Sequence, residues 1–195
     1  MSKSDPSAAK KERNKTIRWV VTIFFVTMLI SGTISFVSDA IMESSTMIVA
    51  FVILLVIVLL GIIFDIIGMA VATADEKPFH SMAARKVPGA QESIRLLRNA
   101  ERVSSICNDV VGDICGVVSG SASATIAAQL LRNFDFSWPQ LVGLLMSALV
   151  AGLTVGGKAI GKTFAINSCT KIVHTVGKFV YTFRNLFKPQ KKKKR

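Results

Sequence analysis

The sequence has few of the residues from which catalytic and metal sites are commonly built. It contains three cysteines and two histidines in 195 residues. The odd cysteine count does not fit a disulfide framework, and neither residue type has the spacing of a metal site. No nucleophile is paired with a base in a recognisable pattern, so we do not expect an enzyme. The residues concerned are Cys107, Cys115, Cys169, His80 and His174.

Acidic residues are also scarce, at 12 against 24 basic ones, which gives a net charge of +12 although 51% of the residues are apolar. Soluble proteins rarely combine these properties. Here they are segregated along the chain, because the apolar residues form four blocks that are each long enough to cross a bilayer, which takes about 20 residues. The sequence therefore predicts an all-α membrane protein with four transmembrane helices. The predicted spans are residues 17–37, 47–73, 103–131 and 140–160.

The polar segments between and around the spans complete the predicted architecture. Residues 1–16 have no apolar period and are expected to form a mobile cytoplasmic tail before a transmembrane domain at 17–165. The first block is longer than the apolar core of a signal peptide and lacks a cleavage site, so it should be retained. Residues 38–46 are predicted to be a loop. Pro78 and Pro88 indicate an irregular stretch after the second span.

Two segments have helical patterns with basic residues. From Gly89 onward an amphipathic juxtamembrane helix is predicted, either lying on the membrane surface or serving as a solvated connector. Residues 166–195 form a basic amphipathic segment expected to contact anionic lipids, and no nucleic acid partner is expected. The loop 132–139 carries Phe134, Phe136 and Trp138, which suit a membrane interface.

The distribution of charge predicts the orientation. Six of the 24 basic residues precede or open the first span, six lie in the central segment, and eleven occur from Lys158 onward. Only Arg132 falls on the opposite side. By the positive-inside rule, both termini and the central segment are cytoplasmic, as in a multi-pass protein of the cell membrane.

Residues 156–163 match the phosphate-binding pattern Gly-x-x-x-x-Gly-Lys-Thr at every position. That loop requires a preceding strand, a following helix and an acidic magnesium partner. The preceding residues are instead a predicted membrane span, so we expect no nucleotide. Glycine at close-packed positions and lysine or threonine at a cytoplasmic helix end account for the match.

Three segments in order resemble the transmembrane domain of the CorC/CorB and cyclin M family of magnesium transporters. Residues 155–165 (VGGKAIGKTFA) are similar to the family's F-G-E-x-x-P-K-T-L-A, and residues 64–72 (FDIIGMAVA) to its F-S-x-S-E-T-A-L. Residues 96–120 resemble its juxtamembrane helix and the following span. The resemblance covers residues 47–165. Compared with the family's transmembrane domain, this chain has one additional helix before them, and it has no counterpart of the family's cytoplasmic CBS domain pair.

This resemblance implies a dehydrated Mg²⁺ held within the membrane by oxygen ligands. Asp65 stands where the family has a ligating serine, and Gly68 where it has a glutamate. Asn108 and Asp109 match the family's asparagine pair, with Gly112 and Asp113 as the alternative alignment. Lys158 occupies the position of the glutamate of F-G-E. The family also forms homodimers, and the glycine-rich third and fourth spans, with Gly112, Gly156 and Gly157, fit close helix packing.

Two functions remain open at this point. In the first, the protein transports Mg²⁺ or another divalent cation through ligands Asp65, Asn108, Asp109 and Asp113, while Lys158 extends to the cytoplasm. In the second, the Lys158 ammonium takes the place of the cation and pairs with Asp65, so that the bundle regulates or scaffolds a membrane protein partner. A plain packing network of these acids is the structural alternative.

Overall fold

The computed structural model describes residues 6–134 and 138–187, and all regular structure in these ranges is helical. Four helices are long and apolar enough to span a membrane, which confirms the predicted number of spans. They are Thr16–Met42, Met47–Thr73, Ala100–Asn133 and Pro139–Asn167. The elements in order are α1 (Pro6–Ser44), α2 (Met47–Thr73), α3 (Lys77–Ala84), α4 (Ala90–Arg98), α5 (Ala100–Ser105), a π-helical segment (Ile106–Gly112), α6 (Asp113–Asn133), α7 (Pro139–Asn167) and α8 (Cys169–Phe187).

The first helix is longer than the sequence indicated at both ends. Residues 6–16, expected to be part of a mobile tail, belong to α1, and so do residues 38–44 of the predicted loop. Alanine, lysine, glutamate and arginine in the early segment are strong helix formers, and no glycine or proline interrupts residues 38–44. Only Ser45 and Thr46 separate α1 from α2. Residues 1–5 lie outside the described ranges.

The stretch after the second span is also more regular than predicted. Lys77–Ala84 forms α3, with Pro78 in its first turn. Proline is tolerated there because the N–H it lacks would have no helical acceptor. Helix α7 continues to Asn167, and a break at Ser168 separates it from α8. Of the predicted interfacial aromatics, Phe134 and Trp138 are exposed, whereas Phe136 lies outside the described residues.

Contacts between the helices define their relative directions. Moving along α2 from Gly61 to Gly68, the facing residue in the third span changes from Cys115 to Asn108, so these spans are antiparallel. Ile62 and Ile66 of α2 face Gly157 and Gly161, so α2 and α7 run parallel. The third span has the largest buried share of the four and contacts α1, α2 and α7. This agrees with the close helix packing expected from its small residues.

Two apolar clusters hold the bundle together, one on each side of Asp65 along α2. The first joins all four spans, and the second joins the end of α2 to the shorter helices and to α7. A polar position therefore lies between two packed layers. The buried members are Met42, Ala50, Leu54, Val58, Ala122, Ile126 and Val150 in the first cluster, and Ala70, Val71, Phe79, Leu97, Ala165 and Val173 in the second.

Candidate functional site

Asp65 faces the third span from the middle of the bundle. Gly61, Asp65 and Gly68 have the i, i+4, i+7 spacing that puts them on one side of α2. A Cβ added to Gly61 would lie 2.9 Å from the Cβ of Cys115, so this side packs closely on the third span. Asp65 is only 5% exposed, and its Oδ2 has no hydrogen-bond partner. A buried carboxylate oxygen without a donor is costly unless something else satisfies it.

Asn108 supplies a second oxygen acceptor at the same interface. Its Nδ2 donates to the Oγ of Ser104 at 3.3 Å, but its buried Oδ1 has no partner. The side chain occupies the space beside Gly68, where an added Cβ would overlap the amide and lie 3.0 Å from the Cβ of Cys107. Gly68 is therefore the residue that allows the Asn108 amide to lie against α2, one turn from Asp65.

The Asn108 backbone belongs to the π-helical segment Ile106–Gly112. π-Helical turns are rare in proteins and are frequent at functional sites, since they widen the helix and redirect side chains. The segment packs against α2 between α5 and α6. The π-helical turn changes the directions in which the side chains of residues 106–112 point around the helix axis. A regular α-helical period therefore does not predict which of them face α2.

Lys158 reaches this interface from α7. A Cβ added to Gly161, one turn away, would lie 2.8 Å from the Cγ1 of Ile66, so this part of α7 is in close contact with α2. The Lys158 Nζ lies 3.4 Å from the position that a Cβ on Gly112 would take. Asp65 and Lys158 form no ion pair within the described part of the chain. The half-buried ammonium thus lies next to the third span without a bonded carboxylate.

Asp109 and Asp113, the other two predicted ligands, have different surroundings. Both are exposed, and Asp109 accepts a 2.7 Å hydrogen bond from the Oγ of Ser105. Among the described residues, no group of three or more histidine, cysteine and acidic side chains could hold a metal ion. The structure therefore brings Asp65 and Asn108 to one interface and puts Lys158 at its edge. It does not join Asp109 and Asp113 to them.

The segment that matches the phosphate-binding pattern is helical throughout, inside α7. Its backbone amides thus donate hydrogen bonds within the helix, and they do not form a loop that could bind phosphate. Gly157 packs against Ile62, with its added Cβ 3.2 Å from the Cγ1 atom, whereas Gly156 has no neighbour within 4 Å of that position. Lys162 and Thr163 are exposed on the helix.

A polar cluster between α1 and α6 was missed at the sequence level. Asp39 accepts hydrogen bonds from the Oγ of Ser121 at 2.8 Å and the Oγ1 of Thr125 at 3.4 Å. The Nε2 of Gln129 donates to the carbonyl oxygen of Met42 at 2.7 Å. The signal was present in the spacing, because residues 121, 125 and 129 lie on one helix face. These bonds attach the C-terminal end of α1 to the third span.

A second missed contact joins α4 to α8. The Oγ of Ser93 bonds the carbonyl oxygens of Gly89 and Val173, at 3.0 and 3.1 Å. Gly177 is so close to α4 that an added Cβ would overlap Ser93 and lie 2.7 Å from the oxygen of Gly89. Glu92 is bound by Arg184 of α8 at 3.3 Å.

The two histidines are separate and differ in surroundings. His80 is exposed and lies 3.3 Å from Glu76, one turn earlier. His174 is half-buried on α8, and its Nε2 has no hydrogen-bond partner.

Comparisons of the chain with protein-family models, with curated proteins and with solved structures found no match. The relationship to the CorC/CorB and cyclin M family therefore stays a prediction. It rests on the ordered segments of the sequence and on what the residues in them can do.

Proposed function

We propose that the protein is a multi-pass protein of the cell membrane whose helix bundle binds and transports a divalent cation, with Mg²⁺ as the expected substrate. One observation supports this most strongly. The Oδ2 of Asp65 and the Oδ1 of Asn108 are both buried, both lack a hydrogen-bond partner, and belong to one interface between α2 and the π-helical segment.

The chemistry of these two groups suits a hard cation. Mg²⁺ and Ca²⁺ prefer carboxylate, amide and carbonyl oxygens, and Mg²⁺ commonly keeps several waters. A site with one carboxylate and one amide would therefore complete its coordination with water or backbone oxygens. Ionisable side chains inside a membrane are costly and mark ion pathways in many proteins. Asp109 lies one residue further along the chain, is exposed on the surface of the bundle, and is not part of this buried pair.

A second candidate function is favoured by Lys158. Its ammonium lies beside Gly112, which opposes Gly61, one turn from Asp65. A fixed positive charge there repels a divalent cation, and an ammonium group cannot serve as a ligand. In this alternative the bundle carries its own cation, transports nothing, and regulates or scaffolds a membrane protein partner.

The proposed orientation has both termini in the cytoplasm. The parallel pair α2 and α7 and the antiparallel third span fit four successive crossings. Basic residues are concentrated at the end of the bundle where residues 74–105 and α8 lie, and the positive-inside rule makes that end cytoplasmic.

We further propose that α4 and α8 lie along the cytoplasmic membrane surface as amphipathic helices. Exposed positions of α8 include large apolar residues as well as basic ones. Basic segments near a span gain about 1 kcal/mol per residue from anionic lipid. The residues concerned are Phe179, Phe183 and Leu186 together with Lys171, Lys178 and Arg184.

A homodimer is also part of the proposal. Positions for a Cβ on Gly116 and Gly120 of α6, and on Gly152 and Gly156 of α7, have no atom within 4 Å. Such open pairs four residues apart allow another membrane helix to approach closely.

Flux measurements on purified protein in liposomes test transport directly. We expect Mg²⁺ uptake by the unaltered protein and a loss of at least about tenfold in Asp65→Asn and Asn108→Ala, because each removes an oxygen acceptor or its charge. Asp75→Asn is the matched control, since Asp75 is an exposed acid outside the spans, and its flux should be unchanged. Unaltered flux in both site variants would contradict the proposed site.

Lys158→Glu separates the two candidate functions. If the native protein shows no flux and this variant does, the non-transporting function is supported and Lys158 is the block. If the native protein transports and the variant binds Mg²⁺ more tightly, Lys158 limits affinity in a working transporter. Lys162→Glu is the control, because it keeps Lys158 and changes an exposed charge one turn away.

A further inference from the structure

Among the α1 side chains that the structure describes, the fully buried ones lie near the C-terminal end of the helix. Its buried residues are Ser38 and Met42, and its interhelical hydrogen bonds use Asp39 and the carbonyl of Met42. The apolar window of its span has no buried residue. Its contacts are mainly with α6, and it touches α2 little. The N-terminal half of α1 is therefore only partly buried, with Ile23 and Thr27 half-buried, and it makes little contact with α2.

A groove of about 490 Å³ lies beside this half of the helix. One wall is Trp19 of α1, and the other is formed by the end of α2, by α5 and by the π-helical segment. The lining residues are Trp19, Ala72, Ala100, Glu101, Ser104, Ser105 and Asp109.

The groove lies at the depth of the lipid headgroups. Trp19 is the fourth residue of the span Thr16–Met42, and Ala72 is the residue before the end of α2. The third span begins at Ala100 and has 34 residues, or about 50 Å of helix at 1.5 Å per residue. The hydrocarbon core is only about 30 Å thick, so part of this span extends beyond it, and the first turn of the span lies in the groove with Trp19 and Ala72, which are near the ends of their own spans.

The charge of the groove is opposite to that of the protein. Its lining contains two carboxylates, Glu101 and Asp109, and no basic residue, although the chain carries a net charge of +12. The Ser105 hydroxyl occupies only the Oδ2 of Asp109. An indole face near carboxylates is the combination that binds organic ammonium groups, through cation–π and charge attraction. A phosphate or a carboxylate ligand would be repelled.

Exposed basic residues flank the lining residues in the sequence. Arg18 precedes Trp19, and Arg102 follows Glu101. Neither arginine lines the groove, so an ammonium group inside it would meet only the two carboxylates, and a linked phosphate would lie outside this acidic lining. An ammonium group linked to a phosphate is the headgroup of a zwitterionic phospholipid.

We propose that this groove binds the headgroup of a zwitterionic phospholipid, with the ammonium between Trp19 and the carboxylates of Glu101 and Asp109. The acyl chains would follow the exposed apolar surface of α1, where Ile23 is half-buried and Val20 and Phe24 are open. A lipid is favoured over a soluble amine because the groove opens beside a span at headgroup depth. The lipid would fill the gap beside the N-terminal half of α1 and support the helix there.

Tryptophan fluorescence provides the test, because the chain has only two tryptophans. In Trp138→Phe protein, Trp19 is the sole indole. We expect short-chain phosphatidylethanolamine, added to protein in an amine-free detergent, to change Trp19 emission saturably. Short-chain phosphatidylglycerol should require at least about tenfold more lipid, because its headgroup has no ammonium.

Variants locate the binding. Glu101→Gln and Asp109→Asn should each weaken the phosphatidylethanolamine response severalfold, and the pair at least about tenfold. Glu76→Gln is the control, since Glu76 is an acid near the same membrane surface that does not line the groove. The three changes keep side-chain size, and the number of lipids retained by each purified protein, counted by native mass spectrometry, is a second measurement.

Three results would overturn the proposal. They are an equal response to both lipids, an unchanged response in the Glu101→Gln, Asp109→Asn protein, and saturation by free ethanolamine at the same concentration as the lipid. The last would assign the groove to a soluble amine. None of these outcomes depends on Mg²⁺ transport, because the assay contains no divalent cation.

Discussion

At Gly68 the space for a methyl group is already taken by Asn108. A Cβ there would overlap the amide and lie 2.8 Å from its Cγ. Insertion of atoms into a packed interface typically costs about 1–3 kcal/mol. We therefore expect Gly68→Ala to lower the melting temperature of the protein in detergent. Gly32→Ala should not, because no atom lies within 4 Å of the added Cβ on α1.

The double variant identifies the clash. The double variant Gly68→Ala, Asn108→Ala lacks the Asn108 amide. It should regain most of the stability lost in Gly68→Ala, since the added methyl then has room. If the double variant is as unstable as the sum of the single changes, the two residues are not in the contact described. Melting curves of all four proteins form the required cycle.

The site could be predicted from the sequence only where one residue stands out from its surroundings. Asp65 does so, as the one ionisable residue in a long apolar run, and the structure buries it. Asn108 was identified through the family resemblance. Asp109 and Asp113 also entered through the resemblance, and the structure leaves both exposed, within or directly after the π-helical segment Ile106–Gly112 that no regular helix period predicts.

At the scale of helices, length and hydropathy predicted the four spans, because crossing a bilayer demands a long apolar helix. They did not predict α3, since a proline reads as a helix breaker unless its place in the first turn is known. Nor did they predict how α4 docks on α8. That contact depends on small residues at Gly89, Ser93 and Gly177, whose partners are distant in sequence.

The α4–α8 contact makes a prediction for Gly177. A valine there would overlap Ser93 and the Gly89 carbonyl and should separate the two helices. A cost of about 1–3 kcal/mol would increase the open population roughly 5- to 150-fold. Trypsin cleavage after Lys171 and Lys178, both exposed on α8, should accelerate by about that factor, because cleavage follows the open fraction.

The neighbouring position Thr175 provides the control for this measurement. Its side chain is exposed and bonds only the carbonyl of Lys171, so Thr175→Val adds a branched apolar residue without a clash. Equal cleavage of Gly177→Val and Thr175→Val would contradict close docking of α8 on α4.

For the whole molecule, helix directions and charge lead to one membrane arrangement. The third span is antiparallel to α2, and α7 is parallel to it. The hydrogen bonds at the C-terminal end of α1 advance along α6 in the same direction, from Asp39 with Ser121 to Met42 with Gln129, so α1 and α6 are parallel. Four crossings in alternation follow, with the short turn Ser45–Thr46 and the segment near Trp138 on the side opposite to the basic residues.

Cysteine labelling in intact cells tests this arrangement. In protein with Cys107, Cys115 and Cys169 replaced by alanine, an impermeant maleimide should label Thr46→Cys and Trp138→Cys, since both positions are exposed at the ends of spans away from the basic residues, which the proposed orientation puts outside the cell. Asp75→Cys and Lys171→Cys, exposed at the other end, should react only after permeabilisation. Labelling of all four in intact cells, or of Thr46→Cys without Trp138→Cys, would contradict four spans. Labelling of only Asp75→Cys and Lys171→Cys would keep the four spans but reverse the bundle, and so contradict the assignment of the basic end to the cytoplasm.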